Sequence, residues 1–190
     1  DNPDFATRDI LYVKGLFNKA DTLHLFVNHW PSRRGGKEEN RLIAAQILRG
    51  QVDSILAINP MAKIIMMGDF NDDPANKSMK DVLRAGMKDK KLEPGDLFNA
   101  SAPTFKQGYG TLGYQGVFNL FDQIVISQGL LQGNSKTFFY LPESYKIFAT
   151  KDMQVAEGRD KGFPLRTFSR GVYNPNGFSD HYPAFILLGQ

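Results

Sequence analysis

Cysteine is missing altogether. That removes a disulfide framework and any thiolate zinc site, and it does not separate cytoplasm from exterior. Also missing is any apolar run near the roughly 20 residues a helix needs to cross a bilayer. A strong charge of one sign is lacking too: 23 Lys and Arg stand against 20 Asp and Glu, a net charge of +3. Such a balance does not by itself demand a nucleic-acid partner, though it suits an anionic substrate if basic side chains gather near a site. No internal repeat, low-complexity tract or interdomain linker is visible, so residues 1–190 are expected to form a single domain with a sizeable core. The chain reads as soluble and globular, of unknown compartment. No secretory signal is recognisable, yet the chain opens on Asp1 and not on Met, so an upstream segment is expected to have been removed.

What is present is a succession of short strands with helical interludes. Residues 10–17 and 22–29 are rich in residues that suit a sheet and, with a turn at 18–21, read as a hairpin. Pro31 and the paired Gly35 and Gly36 make 30–36 a loop. From 37 to about 58 the pattern is helical, with Ala44, Leu48, Val52 and Ile55 recurring at spacings of three and four. A buried strand is expected over 63–67, a second helix over 77–86, loops through 88–116 and a strand leading to Ser127. Short apolar stretches at 138–140 and 145–148, a long surface excursion over 150–178 and a final strand over 182–188 complete the reading.

The chain is organised around Gly68-Asp69-Phe70-Asn71-Asp72-Asp73-Pro74. A strand ending in these residues puts carboxylate and amide oxygens at the mouth of a sheet, where binding and catalytic groups concentrate. Asp69 could take a proton from water or hold a hard cation, and Asn71 points the same way if the extended backbone persists. A solvated turn is the plainer reading, because Asp, Asn and Pro are turn formers. Three further polar clusters flank apolar strands: Asn28-His29, Asp122, and Ser179-Asp180-His181. Gathered at one rim, such His, Asp and Asn side chains suit phosphoester hydrolysis. A cation neutralises the phosphate, carboxylates hold it, and an Asp-oriented His works near neutral pH. Taken singly, His29 and His181 read rather as structural histidines. His24, alone in mid-strand, reads as packing, Asp72 and Asp73 as turn residues, and Phe138, Phe139 and Tyr140 as core.

Asn28-His29-Trp30, Gly68-Asp69-Phe70-Asn71, Phe121-Asp122-Gln123-Ile124 and Ser179-Asp180-His181 match one known family in type, order and approximate spacing. The chain resembles the endonuclease/exonuclease/phosphatase superfamily, which includes deoxyribonuclease I-like nucleases, from about Arg8 to its end. The resemblance implies an α+β fold, a layered β-sandwich of mixed sheets flanked by helices. It implies a hydrolase with Mg²⁺ as cofactor and Mn²⁺ as a substitute, acting on phosphoesters that include nucleic acid. It also implies roles. Asp69 activates or orients water, Asn71 bonds a phosphate oxygen, and Asp180 binds the metal with Asp69. Asp122 and His181 form a carboxylate–imidazole pair, and His29 contacts the scissile phosphate. Arg33 and Arg34, read as flexible-loop cations beside His29, are candidates to grip the substrate. The competing reading is a non-catalytic binding module that keeps the fold.

The family also uses an Asn and a metal-binding Glu on earlier strands. No Glu precedes His29, and Glu38 and Glu39 fall at a helix start where they cannot be matched to it. The expectation is therefore either a divergent member of the family or a domain whose N-terminal strands are missing, and in the latter case one catalytically incomplete and prone to pair through exposed sheet edges.

Overall fold

The computed structural model describes residues 7–17, 21–34, 38–87, 92–132, 137–169 and 171–190. Six strands form its main sheet: β1 (Leu11–Phe17), β2 (Asp21–His29), β3 (Lys63–Asp69), β4 (Ala85–Gly86), β5 (Leu97–Asn99) and β8 (Asp122–Ser127). Their spatial order is β1-β2-β3-β8-β5-β4. β2 runs parallel to β3, while β8 lies antiparallel to both β3 and β5. A parallel pair needs a long crossover, and α1 (Glu38–Ile58) supplies it between β2 and β3.

The alternation of apolar residues along β3 decides which layer covers which face. Ile64 and Met66 join Ala44, Ala45, Leu48 and Val52 of α1, with Phe26, Trp30, Phe70 and Val125, in one buried cluster. Ile65 turns the other way, into a second cluster with Leu23, Ile124, Ile126, Tyr140 and Tyr145. Burying each such aliphatic side chain contributes roughly 1.5–3 kcal/mol, so the helix is held by its apolar stripe more than by helix propensity. Glu38 and Glu39 in its first turn complement the helix dipole. The second cluster is closed by short pairs, β9 (Phe139–Tyr140) with β14 (Leu188–Gly189) and β10 (Lys146–Ile147) with β13 (Ala184–Phe185). The result is the expected layered α+β arrangement, with a full sheet on one side and short ribbons on the other.

Several boundaries differ from the sequence reading. The helix expected over 77–86 is a single π-helical turn, Ser78–Val82. Arg84 adopts φ 59°, which ends the helical path, and Ala85–Gly86 then pairs with β5. The stretch 88–116 holds β5, the short helix α2 (Ala102–Lys106) and β6 (Leu112–Tyr114), which pairs with β7 (Val117–Asn119). The final strand is broken into β13 and β14 because its two halves pair with different partners. Within the surface excursion, β11 (Phe168–Ser169) and β12 (Val172–Tyr173) form a small hairpin. Of the expected turn at 18–21, residues 18–20 lie outside the described residues, and Asp21 already belongs to β2. β1 is an edge strand of the sheet, with Leu11 and Leu16 exposed by 59% and 66%. No helix among the described residues is long and apolar enough to cross a membrane.

Candidate active site

Each residue of the Gly-Asp-Phe-Asn run has a separate physical task. Gly68 pairs with Asn28 across the parallel ladder, at φ 130°. A Cβ there would sit 2.0 Å from the Asn28 carbonyl oxygen, so no larger residue fits. Phe70 is fully buried and packs edge-on against Trp30, 4.8 Å between ring centroids, which anchors the strand end in the core. Asn71 takes φ 52°, a left-handed conformation that Asn tolerates. The extended backbone therefore does not persist beyond β3, and Asn71 folds back onto Asp69. Its backbone N–H donates to Asp69 Oδ1 at 2.8 Å. Its side-chain amide donates to Asp69 Oδ2 at 3.1 Å and to the Trp30 carbonyl at 2.9 Å.

Sheet register brings the other groups alongside. His29 of β2 is the ladder partner of Asp69, and Asp69 is the partner of Asp122 in β8. Directly paired residues point to the same face, so the three side chains stand in one row across three adjacent strands. His29 Nε2 lies 3.4 Å from Asp69 Oδ2, with the imidazole 47% and the carboxylate 16% exposed. His181 closes the row from another direction. An isolated bridge between Leu112 and His181, and the Tyr182 N–H donating to the Thr111 carbonyl, attach its segment to the start of β6. The Ser179 hydroxyl accepts from the His181 N–H at 3.1 Å and shapes that turn. His181 Nδ1 is then 2.7 Å from Asp122 Oδ2, which leaves Nε2 for another partner.

The electrostatics follow from burial and neighbours. Burial raises the Asp69 carboxyl above its ordinary value, the nearby Asp122 charge pushes the same way, and the Asn71 N–H and the two His oppose both. For His181, burial acts downward. The hydrogen bond and charge of Asp122, joined by Asp69 and Asp180, outweigh it and raise the imidazolium pKa. The site thus holds a carboxylate made more basic beside an imidazole made easier to protonate.

A family model described as "Endonuclease/Exonuclease/phosphatase family" matches residues 1–190. The chain belongs to the endonuclease/exonuclease/phosphatase family. No curated protein matches it. Among solved structures it is similar to humanized D. rerio TDP2, at 19% identity and TM-score 0.55, covering 95% of this chain and 60% of that one. D. rerio TDP2 in complex with a single-strand DNA product is similar at 16% identity and TM-score 0.53, covering 95% and 61%. A mannosyl-6-phosphatase of Bacteroides thetaiotaomicron follows at 16% identity and TM-score 0.50, covering 90% and 52%. These likenesses bear on the deoxyribonuclease I-like fold alone, and the chain spans 52% to 61% of the length of those structures.

The family residues named from the sequence do not all behave alike in this member. His29, Asp69, Asn71, Asp122 and His181 come together. Asp180 is exposed beside them, close enough for its charge to act on His181. Arg33 is not the flexible cation expected from its loop. Its Nε donates to the Asn71 carbonyl at 2.9 Å, Nη2 reaches Asp73 and Asn76, and the guanidinium lies 4.5 Å from the centre of the Phe121 ring. Arg34 is exposed and makes no ion pair among the described residues. Asp72 is no solvated turn residue: it is buried, 2.9 Å from Arg41 Nε, and accepts from Ser78 Oγ at 2.6 Å. His24 sits on the sheet, with the Tyr12 hydroxyl 2.7 Å from its Nδ1.

Two supporting residues escaped the sequence reading. The Tyr145 hydroxyl donates to the Asp122 carbonyl at 2.8 Å, and burial pushes its pKa far up, keeping it a donor. Buried Gln123 donates to the Asp72 carbonyl and accepts from Asn99 Nδ2 at 2.6 Å. A polar residue at an inward position of an apolar strand was the available signal for Gln123. For a cation, the donors are carboxylate oxygens, and no three His, Cys, Asp or Glu among the described residues form a cage by themselves. Asp69 and Asp180 supply carboxylate oxygens, the donor type that Mg²⁺ takes alongside water and substrate phosphate.

Proposed function

We propose that this site hydrolyses phosphoester bonds with the help of a divalent cation, Mg²⁺ or in its place Mn²⁺. The observation that carries the reading is the paired row of His29, Asp69 and Asp122, with His181 hydrogen-bonded to Asp122. Asp69 and Asp180 would hold the cation, which when bound would neutralise charge on the phosphate. Asp69, its pKa raised by burial, orients a water and draws its proton. As the water oxygen bonds to phosphorus and the ester P–O bond breaks, His181, held by Asp122 with Nε2 outward, gives a proton to the departing ester oxygen. His29, half-exposed at the end of the row, meets the same phosphate. Asn71 orients Asp69, and a phosphate contact by its amide exchanges one of the two bonds it now makes. Arg34 is the loop cation available to an anionic substrate.

Nucleic acid is one candidate substrate. D. rerio TDP2 is described with a single-strand DNA product, and the Bacteroides neighbour is described as a sugar phosphatase, so both diesters and monoesters belong in the screen. The test is hydrolysis of bis(p-nitrophenyl) phosphate, p-nitrophenyl phosphate and single-stranded DNA with Mg²⁺, Mn²⁺ or EDTA. Metal-dependent turnover is expected of an intact-length version, and weaker turnover of residues 1–190 alone. Asp69→Ala and His181→Ala each lower it by roughly 10²–10⁴-fold while the circular dichroism spectrum is kept. Binding of these phosphates with no turnover in any metal by an intact-length version assigns the protein to the non-catalytic alternative.

A further inference from the structure

The contacts of Arg33 join both halves of the site from behind. Its Nε donates to the carbonyl of Asn71, the residue whose left-handed turn puts two N–H donors on Asp69. Its Nη2 donates to Asp73 Oδ2 at 3.0 Å and to Asn76 Oδ1 at 2.9 Å. Asp73 Oδ1 in turn accepts the Leu120 N–H at 2.7 Å, just before β8 begins. The flat face of the guanidinium covers Phe121, the residue preceding Asp122, and Phe70 N donates to the Phe121 carbonyl at 2.9 Å. The buried Asp72 carboxylate, 3.4 Å from Arg33 Nε, supplies countercharge.

We propose that Arg33 is a positioning residue that locks the Asp69–Asn71 turn onto the Phe121–Asp122 strand entrance, and does not itself grip the substrate. This rests on the phosphoesterase reading. The fork matters because three separated acceptors and one ring face are served at once. A Lys ammonium, a point charge on a flexible stem, cannot serve them together. Without the lock the turn carrying Asn71 is released, the two N–H donors leave Asp69, and the row loses its spacing. Misplacement of about 1 Å at a reacting group costs on the order of 10²-fold in rate.

Arg33→Ala and Arg33→Lys test this at saturating Mg²⁺ on bis(p-nitrophenyl) phosphate. The expected result for Arg33→Ala is kcat lower by roughly 10–100-fold with KM within about threefold. Arg33→Lys, which keeps the charge, does not restore kcat. A second readout needs no activity. The side-chain amide protons of Asn71 and the backbone N–H of Leu120, followed by ¹⁵N NMR, lose protection from exchange in the Arg33 variants. In Leu48→Ala, a core variant, they lose protection only as far as global stability falls. Three results overturn the proposal: a raised, salt-sensitive KM with unchanged kcat, which makes Arg33 a substrate contact; full rescue by Lys; or Asn71 and Leu120 protection lost no more than in Leu48→Ala. Should Arg33→Ala not fold, Arg33→Lys carries both measurements. If an intact-length version hydrolyses nothing, the functional reading fails, and the exchange data still decide whether Arg33 locks the turn.

Discussion

Replacing Asp122 by Asn tests the carboxylate–imidazole pair most directly. In the folded chain His181 is pulled two ways, downward by burial and upward by Asp122, Asp69 and Asp180. Removing the Asp122 charge takes away the main upward influence, so burial prevails and the imidazole gives up its proton at lower pH. Hydrogen bonds to charged groups contribute about 1.5–3 kcal/mol and neutral ones about 0.5–1.5 kcal/mol. The charge is therefore worth on the order of 1–2 kcal/mol at this contact. At 1.36 kcal/mol per tenfold, that is a loss of roughly 5–30-fold in turnover near neutral pH. The loss widens as pH rises, because the alkaline limb of the profile moves downward. The assay is kcat across about pH 5–9 with Mg²⁺ saturating, with thermal unfolding to confirm the fold. A companion measurement is the pH dependence of stability. A His whose folded pKa is raised contributes stability that is fully present below its unfolded pKa and lost as pH climbs through the folded value. That sloping contribution should vanish in Asp122→Asn. A folded variant with turnover within twofold and an unmoved alkaline limb would refute the pairing as a catalytic device.

Three other perturbations probe separate features. Gly68→Ala forces a Cβ against the Asn28 carbonyl at 2.0 Å and should destabilise the chain by at least the roughly 1–3 kcal/mol typical of overpacking, seen as a lower denaturant midpoint; an unchanged midpoint means the ladder can move aside. Arg34→Ala should raise KM and weaken its salt dependence with little change in kcat, while an unchanged KM at low salt leaves Arg34 an ordinary surface charge. Leu16→Lys places a charge on the exposed edge strand β1 and should reduce any concentration-dependent light scattering, whereas equal scattering locates self-association elsewhere.

The clustering of polar residues at strand ends was legible because its motifs are local. Gly68, Asp69, Phe70 and Asn71 follow one another, and each answers a constraint within a few ångströms. The helix 38–58 was legible because its stripe of Ala44, Leu48 and Val52 spans several turns. The strands of two or three residues were not, since no period can be read from so few positions. Val82 and Leu83 read as helix until Arg84 turned left-handed and the chain joined β5, a tertiary pairing that overrides local preference. Arg33 was misread for a related reason. A loop cation looks free until Asp73 and Asn76, some forty residues away, arrive to bind it.

The pairing of His29 with Asp69 and of Asp69 with Asp122 makes the backbone ladder an index for the side-chain chemistry. A slip of one residue in β8 would present Gln123 where Asp122 stands, turn the His181 partner to the opposite face and leave two apolar neighbours pointing the wrong way. Such a slip leaves His29 beside Asp69 but removes Asp122 and, with it, the partner of His181. The same ladder sets when the row can form during folding. β2 and β3 must close over the intervening helix, and β8 must then return from more than fifty residues downstream. The row of His29, Asp69 and Asp122 should therefore complete itself late in refolding, with the docking of β8, after the helix α1 has already gained its ellipticity.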